Sequence, residues 1–253
     1  MLSRFKKTKR IASAAQVDTD PAAHISLRGA EIAAVFYGQR QGGDFYDFHR
    51  VNDSRIIFGL LDVAGKRENN RAILRAAQAT FREVGQSLFA AEAVNEADAM
   101  VALCLELNRS IMKAAGGVRS CPAFIGAYNE MLGTVCYINA GHTPGVVRDT
   151  SGTRLLVATG LPMGLFPYAT SDAPTTAIEP GATLLLVSRG IVEGQHKKEE
   201  FGIHRVRAAL QHSNASQARE VGISILDTVQ QFMRTPPTHD DVTALALVRA
   251  RTA

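Results

Sequence analysis

Between Ala123 and Thr159 the chain runs through "AFIGAYN", "TVCYINAG", "GVVRD" and "TRLLVAT", parted only by the turn signals "EMLG", "GHTPG" and "DTSG". Parallel neighbours in a sheet need a crossover of about a dozen residues or more, whereas antiparallel neighbours close through a tight turn. This spacing leaves no room for a crossover, so these strands are antiparallel. The rest of the chain follows the same rule. "EIAAVFYGQRQ" and "DFYDFHRV" are strand-like, "SRIIFGLLDVAGK" is an apolar run that ends in a glycine turn, and "GATLLLVS" and "DVTALALV" are further buried strands.

Helical periodicity separates the strand blocks. Ile73, Ala77, Phe81, Val84 and Leu88 line one helical face, and Met100, Cys104, Leu107 and Ile111 line the next, which "AAGG" closes. Two more helical stretches follow "GATLLLVS". The later one carries Val221, Ile225, Val229 and Phe232 on one face, with Pro236 and Pro237 as its stop. Hairpin-linked strands alternating with paired helices predict an α+β fold, two antiparallel sheets packed together with helices outside. Residues 1–28 are polar and alanine-rich and read as a tail, with one domain over 29–253.

Composition excludes several classes. Arg4, Lys6, Lys7, Lys9 and Arg10 precede any acid, so the net charge of +4 belongs to the tail rather than to a basic face. No basic patch interleaved with aromatics is visible, which argues against nucleic-acid binding. No apolar run approaches the ~20 residues of a membrane span, and the basic start has too short an apolar part for a signal peptide. Three cysteines, Cys104, Cys121 and Cys136, show no CxxC spacing, which disfavours disulfides and a thiolate metal site and predicts a reducing cytoplasm.

The acids fall at strand ends. Asp44 and Asp47 lie in "GGDFYDF", Asp62 closes "IIFGLLD", and Asp240 and Asp241 stand before "VTALALV". Hard cations such as Mg²⁺ and Mn²⁺ take oxygen ligands, and a pair of them about 4 Å apart can activate water against a phosphate. Any one of these aspartates has the alternative of a turn cap. No GxSxG elbow and no GxxxxGK[ST] loop is present, and His142 in "NAGHTPG" reads as a residue that shapes a turn.

"GGDFYDF", "LLDVAGK", "NAGHTPG", "GLPMGLFP", "LLLVSRGIVEG", "EEFG" and "DDVT", in this order, resemble the SpoIIE/RsbU branch of the bacterial metal-dependent protein serine/threonine phosphatases, the type 2C (PPM) superfamily. The resemblance implies a four-layer αββα sandwich and two Mn²⁺ or Mg²⁺ ions at one edge of the sheets. It implies hydrolysis of phosphoserine or phosphothreonine, usually on a STAS-type anti-anti-sigma partner, and dimers through helices are common in that branch. Carried over, Asp44 looks like a ligand of one metal and Asp62 like the bridging carboxylate, with Val63 offering its backbone carbonyl. Asp240 looks like a ligand of the other metal. Asp47 and Asp241 look like acids just outside the direct ligands.

Two positions depart from the family pattern. Where relatives carry Thr-Asp-Gly or Ser-Asp-Gly, this chain has Ser188-Arg189-Gly190, and the glycine-rich turn after Asp62 reads Gly65-Lys66-Arg67. Arginine has no acceptor and stays charged, so it cannot ligate a cation. Arg189 then either faces solvent beside a weakened site, swings inward as a built-in cation pairing Asp62 and Asp240, or marks a pseudophosphatase that binds a phosphorylated partner without cleaving it. Arg189, Lys66 and Arg67 are also candidate phosphate contacts.

Overall fold

The structure is a computed structural model that describes residues 24–37, 43–64, 69–169, 171–234 and 241–251. The chain opens with β1 (His24–Ser26), β2 (Ala30–Tyr37), β3 (Phe45–Asn52) and β4 (Arg55–Leu61). Two helices follow, α1 (Arg71–Phe89) and α2 (Glu96–Ala115). The hairpin block is β5 (Ala123–Asn129), β6 (Thr134–Ala140), β7 (Gly145–Asp149) and β8 (Gly152–Leu156), then β9 (Thr175–Ala177) and β10 (Thr183–Val187). After β10 come α3 (Arg189–Val192), β11 (Gln195–His196), β12 (Glu199–Glu200), α4 (Gly202–His212), α5 (Ala218–Met233) and β13 (Val242–Arg249).

The main sheets are a six-stranded one in the order β1-β2-β13-β10-β7-β8 and a five-stranded one in the order β3-β4-β5-β6-β9. Every pairing between these strands is antiparallel, as the turn spacing requires. The hairpin block does not stay in one sheet. β5 and β6 belong to the five-stranded sheet and β7 and β8 to the six-stranded one, so the turn at Gly141–Gly145 carries the chain across the sandwich.

The layers follow from side-chain alternation, because successive strand residues point to opposite faces. Along β4, Ile56, Phe58 and Leu60 enter the core between the sheets, while Ile57 and Leu61 face the core under α1 and α2. Along β10, Leu184 and Leu186 meet the same central core, and Leu185 and Val187 pack beneath α4 and α5. Strands apolar on both faces are covered on both sides, which yields the αββα order. Val221, Ile225 and Val229 are buried on α5 as expected, whereas Phe232 is only partly buried and Met233 takes the inward place.

The lead-in expected to reach residue 28 ends earlier, because His24–Ser26 pairs with Glu31–Ala33 as an edge strand. Three residues between polar neighbours were too short a run to read as a strand. Residues 1–23, and Pro236 and Pro237 after α5, lie outside the described residues.

Candidate functional site

The site forms where β2, β10, β13, β3 and β4 bring their ends to one edge of the sandwich. Gly43 lets the segment before β3 lie against the turn after β4. Its carbonyl accepts from Val63 N at 3.3 Å, and a Cβ there would sit 1.8 Å from the Val63 carbonyl oxygen. Only a residue without a side chain permits that approach. Asn70, fully buried before α1, donates from Nδ2 to the carbonyls of Val63 and Ala64, both at 3.2 Å, and so fixes the same turn. Asp62 is anchored through its backbone, N to Pro122 O at 2.9 Å.

Asp44 is buried at the centre. Thr243 Oγ1 donates to its Oδ2 at 2.9 Å, and its own N–H donates to Asp241 Oδ2 at 3.2 Å. Ser188 ties the two strand ends together, since its Oγ donates to Asp241 O and accepts from Thr243 N, each at 2.9 Å. Burial first, then the nearby charges of Asp62 and Asp241, push the Asp44 carboxyl well above the usual carboxylate range. Three acids from distant parts of the chain therefore share one electrostatic pocket, which asks for a proton or a cation.

Arg189 supplies a cation. Its Nε lies 3.0 Å from Asp62 Oδ2 and 3.9 Å from Glu193 Oε2, with the side chain 43% exposed. Arg189–Val192 is a short helix with Ser188 at its N-cap position, and Gly190 is buried inside it. Arg189 thus leaves the end of β10 on the first turn of α3, aimed across the edge at Asp62.

Asp47 is corrected. It lies within β3, and both of its oxygens face α1, where Arg82 donates from Nε at 2.6 Å and from Nη2 at 2.8 Å. It braces α1 on the sheet and is not an acid beside the cluster; lying three residues from Asp44 on a strand, it points to the opposite face. Asp241 lies beside Asp44, accepting its N–H at 3.2 Å. Asp240, Lys66 and Arg67 lie outside the described residues. His142 is buried, with Nδ1 against the Thr143 carbonyl at 3.2 Å and hydroxyl at 3.0 Å; burial brings it from an ordinary 6.5 to about 4. Thr143 Oγ1 in turn donates to Val187 O, so His142 does shape the crossing turn.

Sequence reasoning missed the supports Thr243, Ser188 and Asn70, and it missed Arg119. Thr243 and Ser188 stood inside quoted motifs, but nothing about a hydroxyl in sequence says which carboxylate it meets. Arg119 donates to Ala64 O at 3.4 Å from the far rim. That rim also exposes Val118, Leu161, Phe166 and Tyr168. It is stitched to the Asp62 edge through the Cys121–Met163 bridge and the Arg119 N to Gly164 O hydrogen bond of 3.0 Å.

Among the described residues no set of three His, Cys, Asp or Glu side chains is disposed to hold a metal ion. The donor chemistry is nonetheless divided. Asp44, Asp62 and the Val63 carbonyl are hard oxygen donors around a carboxyl that burial and like charges disfavour as an anion, which fits one divalent ion. Arg189 brings a guanidinium to the same edge, and arginine offers no acceptor to a cation.

The Stage II sporulation protein E (SpoIIE) family model matches residues 52–250. The chain is similar to protein IcfG of Synechocystis sp., 26% identical over 248 residues, covering 88% of this chain and 38% of that protein. It is also similar to the phosphoserine phosphatase RsbP of Bacillus subtilis, 26% identical over 153 residues, covering 60% of this chain and 36% of that protein. The chain thus spans well under half the length of these curated relatives. Among solved structures, the RsbU and RsbW domains of a Mycobacterium tuberculosis protein match with a TM-score of 0.72 at 20% identity, over 90% of this chain and 63% of that one, a likeness of fold. A family match across most of the sequence, on a sandwich with acids gathered at one edge, means that the chain belongs to the SpoIIE family of PP2C-type serine/threonine phosphatases.

Proposed function

We propose that this chain hydrolyses phosphoserine or phosphothreonine on a signalling protein, a STAS-type anti-anti-sigma factor being the partner class, at a metal centre reduced by Arg189. The observation that carries the reading is the meeting of Asp44, Asp62 and Asp241 at one edge with the Arg189 guanidinium against Asp62. Asp44, Asp62 and the Val63 carbonyl would hold one Mn²⁺ or Mg²⁺, with Asp240 directed to the position that Arg189 compromises. A divalent ion there supplies Lewis-acid polarisation of a phosphoryl oxygen and of water. Thr243 holds Asp44 in place, and Asn70 and Gly43 hold the Asp62–Val63 turn. Arg189, half exposed, offers N–H donors to phosphoryl oxygens from one side and Arg119 from the other, with Lys66 and Arg67 assigned the same task. The exposed apolar rim of Val118, Leu161, Phe166 and Tyr168 suits a protein rather than a small substrate. Three free, buried cysteines agree with a reducing cytoplasm, and among the described residues no helix is long and apolar enough to cross a membrane.

The test is turnover of an aryl phosphate with added Mn²⁺, compared with Asp62→Ala. Activity well above that variant supports the enzyme; equality with it overturns catalysis. A second reading is favoured by the same ion pair, because a cation that is part of the protein neutralises Asp62 without being able to activate water. In that reading the chain is a pseudophosphatase that captures its phosphorylated partner in sigma-factor partner switching. Partner binding that persists unchanged under chelator, with no turnover, selects it.

A further inference from the structure

Arg189 stands between two carboxylates in different settings. Its Nε lies 3.0 Å from Asp62 Oδ2 on the inner side and 3.9 Å from Glu193 Oε2 on the outer side. The Asp62 side chain is only 10% exposed, whereas that of Glu193 is 50% exposed. Both acids therefore address one nitrogen, and the Glu193 pair has the i,i+4 spacing that a single helical turn brings together.

The main chain beneath this pair is held in place. Ser188 O accepts from Ile191 N at 3.1 Å, Arg189 O from Glu193 N at 2.8 Å, and Ile191 O from Gly194 N at 3.3 Å. Ile191 is fully buried in the core under α4 and α5. Gly194 closes the turn, and a Cβ on it would come within 2.8 Å of Met233 Sδ and 3.1 Å of Gly190 O. A shift of the guanidinium from Asp62 to Glu193 needs no movement of α3. Rotation about the torsions of the Arg189 stem is enough, and with 43% of the side chain exposed the path on the outer side is open to water.

A divalent ion and a guanidinium cannot both lie against Asp62, because like charges that close repel by several times the thermal energy even at an effective dielectric of about 20. Binding of an ion at Asp62 therefore requires Arg189 to leave it. Departure into water loses the Asp62 pair outright, whereas departure toward Glu193 exchanges one carboxylate for another. We propose that Arg189 is a two-position latch, lying against Asp62 in the metal-free chain and against Glu193 once Asp62 takes a divalent ion. Glu193 is then a positioning residue, acting through the guanidinium that it draws off. The inference rests on the reading of Asp62 as a metal ligand and adds to it the means by which this chain accommodates an arginine beside that ligand.

The probe is Mg²⁺ alone, which is diamagnetic, titrated calorimetrically into the full chain while the Arg189 Nε–H resonance is followed by nitrogen-15 NMR. Expected is that Glu193→Gln weakens Mg²⁺ binding about threefold, the scale of one exposed ion pair. In an Arg189→Gln background the same substitution should change affinity far less, so that the double-mutant cycle assigns the effect of Glu193 to the guanidinium. The Nε–H resonance should shift in the parent as the ion saturates. Equal weakening by Glu193→Gln in both backgrounds overturns the proposal and leaves the metal reading in place, because Glu193 would then act on the ion directly. An unchanged affinity in Glu193→Gln, or an Nε–H resonance that stays put at saturation, overturns it too. So does saturable binding in Arg189→Gln but not in the parent, since the guanidinium would then be fixed on Asp62. Absence of saturable binding at millimolar Mg²⁺ in the parent and in Arg189→Gln alike overturns the metal reading and the latch with it.

Discussion

The two ends of β10 and β13 carry opposite problems of charge. At one end Asp44, Asp62 and Asp241 crowd together, and the Arg189 guanidinium lies against Asp62. At the other end Arg148 turns to the α4–α5 side and donates to the Leu210 and Ser213 carbonyls and to Thr183, while Arg249 turns to the opposite face and donates to Ile178 O. The strands between are apolar on both faces and fully buried, so neither excess can be relieved by the other. At the first end the chain supplies a counter-charge of its own. At the second, main-chain carbonyls and a hydroxyl orient Arg148 without neutralising it. The same sheet thus teaches that what matters at a strand end is whether the chain supplies its own opposite charge.

The largest effect should come from reversing the internal counter-charge. Two unit charges about 4 Å apart at an effective dielectric near 20 interact by roughly 4 kcal/mol, and partial exposure of Arg189 screens some of this. Arg189→Asp is expected to tighten Mn²⁺ binding by about 100-fold and to raise any aryl phosphate turnover. Calorimetry and a rate assay check it, and no change in either would remove Arg189 from the metal position.

His142 gives the next effect. Its folded value, about 4, lies below the ordinary 6.5, so the folded state prefers it neutral. Its contribution is fully present above about pH 6.5 and is lost as pH falls through that window toward 4. At about 1.4 kcal/mol per unit the loss is at most about 3 kcal/mol. His142→Asn should flatten the slope of stability against pH between those values in urea melts; an unchanged slope would mean that another group controls it.

Asp47 separates bracing from metal binding. Asp47→Asn should cost about 1 kcal/mol, since Arg82 is largely exposed and the pair is screened, and lower Tm by a few degrees. Mn²⁺ affinity should stay the same. A marked loss of affinity would return Asp47 to the acidic edge. The smallest effect on stability belongs to Arg251→Gln, within about 0.5 kcal/mol of the parent by thermal melting, because an exposed side chain without a carboxylate partner contributes little. A larger loss would show that the basic end is held together by Arg251 itself.

Much of the fold was legible because turn spacing and two-residue alternation are local signals. The hairpin block, the helical faces of α1, α2 and α5, and the buried strands β4, β10 and β13 all followed from them. β1, β9, β11 and β12 were too short to show a period, and α3 was hidden because four residues make a single turn with no repeat to detect. The crossing of the chain between sheets at Gly141–Gly145 was also invisible, since a tight turn looks the same whether or not its two strands pair.

At the site, Asp44, Asp62, Asp241 and Arg189 could be named from their places at strand ends and from the motifs around them. Asp47 could not be assigned that way: it has the same residue type and a neighbouring position, yet it faces the opposite side of its strand and meets Arg82 on α1. The linear chain determined which residues carry charge and which strand termini bear them, because chemistry and short-range periodicity are written residue by residue. Only the tertiary structure decided which charges meet. That depends on side-chain direction and on packing between segments far apart in the chain, and it set Arg189 against Asp62 while parting Arg148 and Arg249 onto opposite faces of the same sheet.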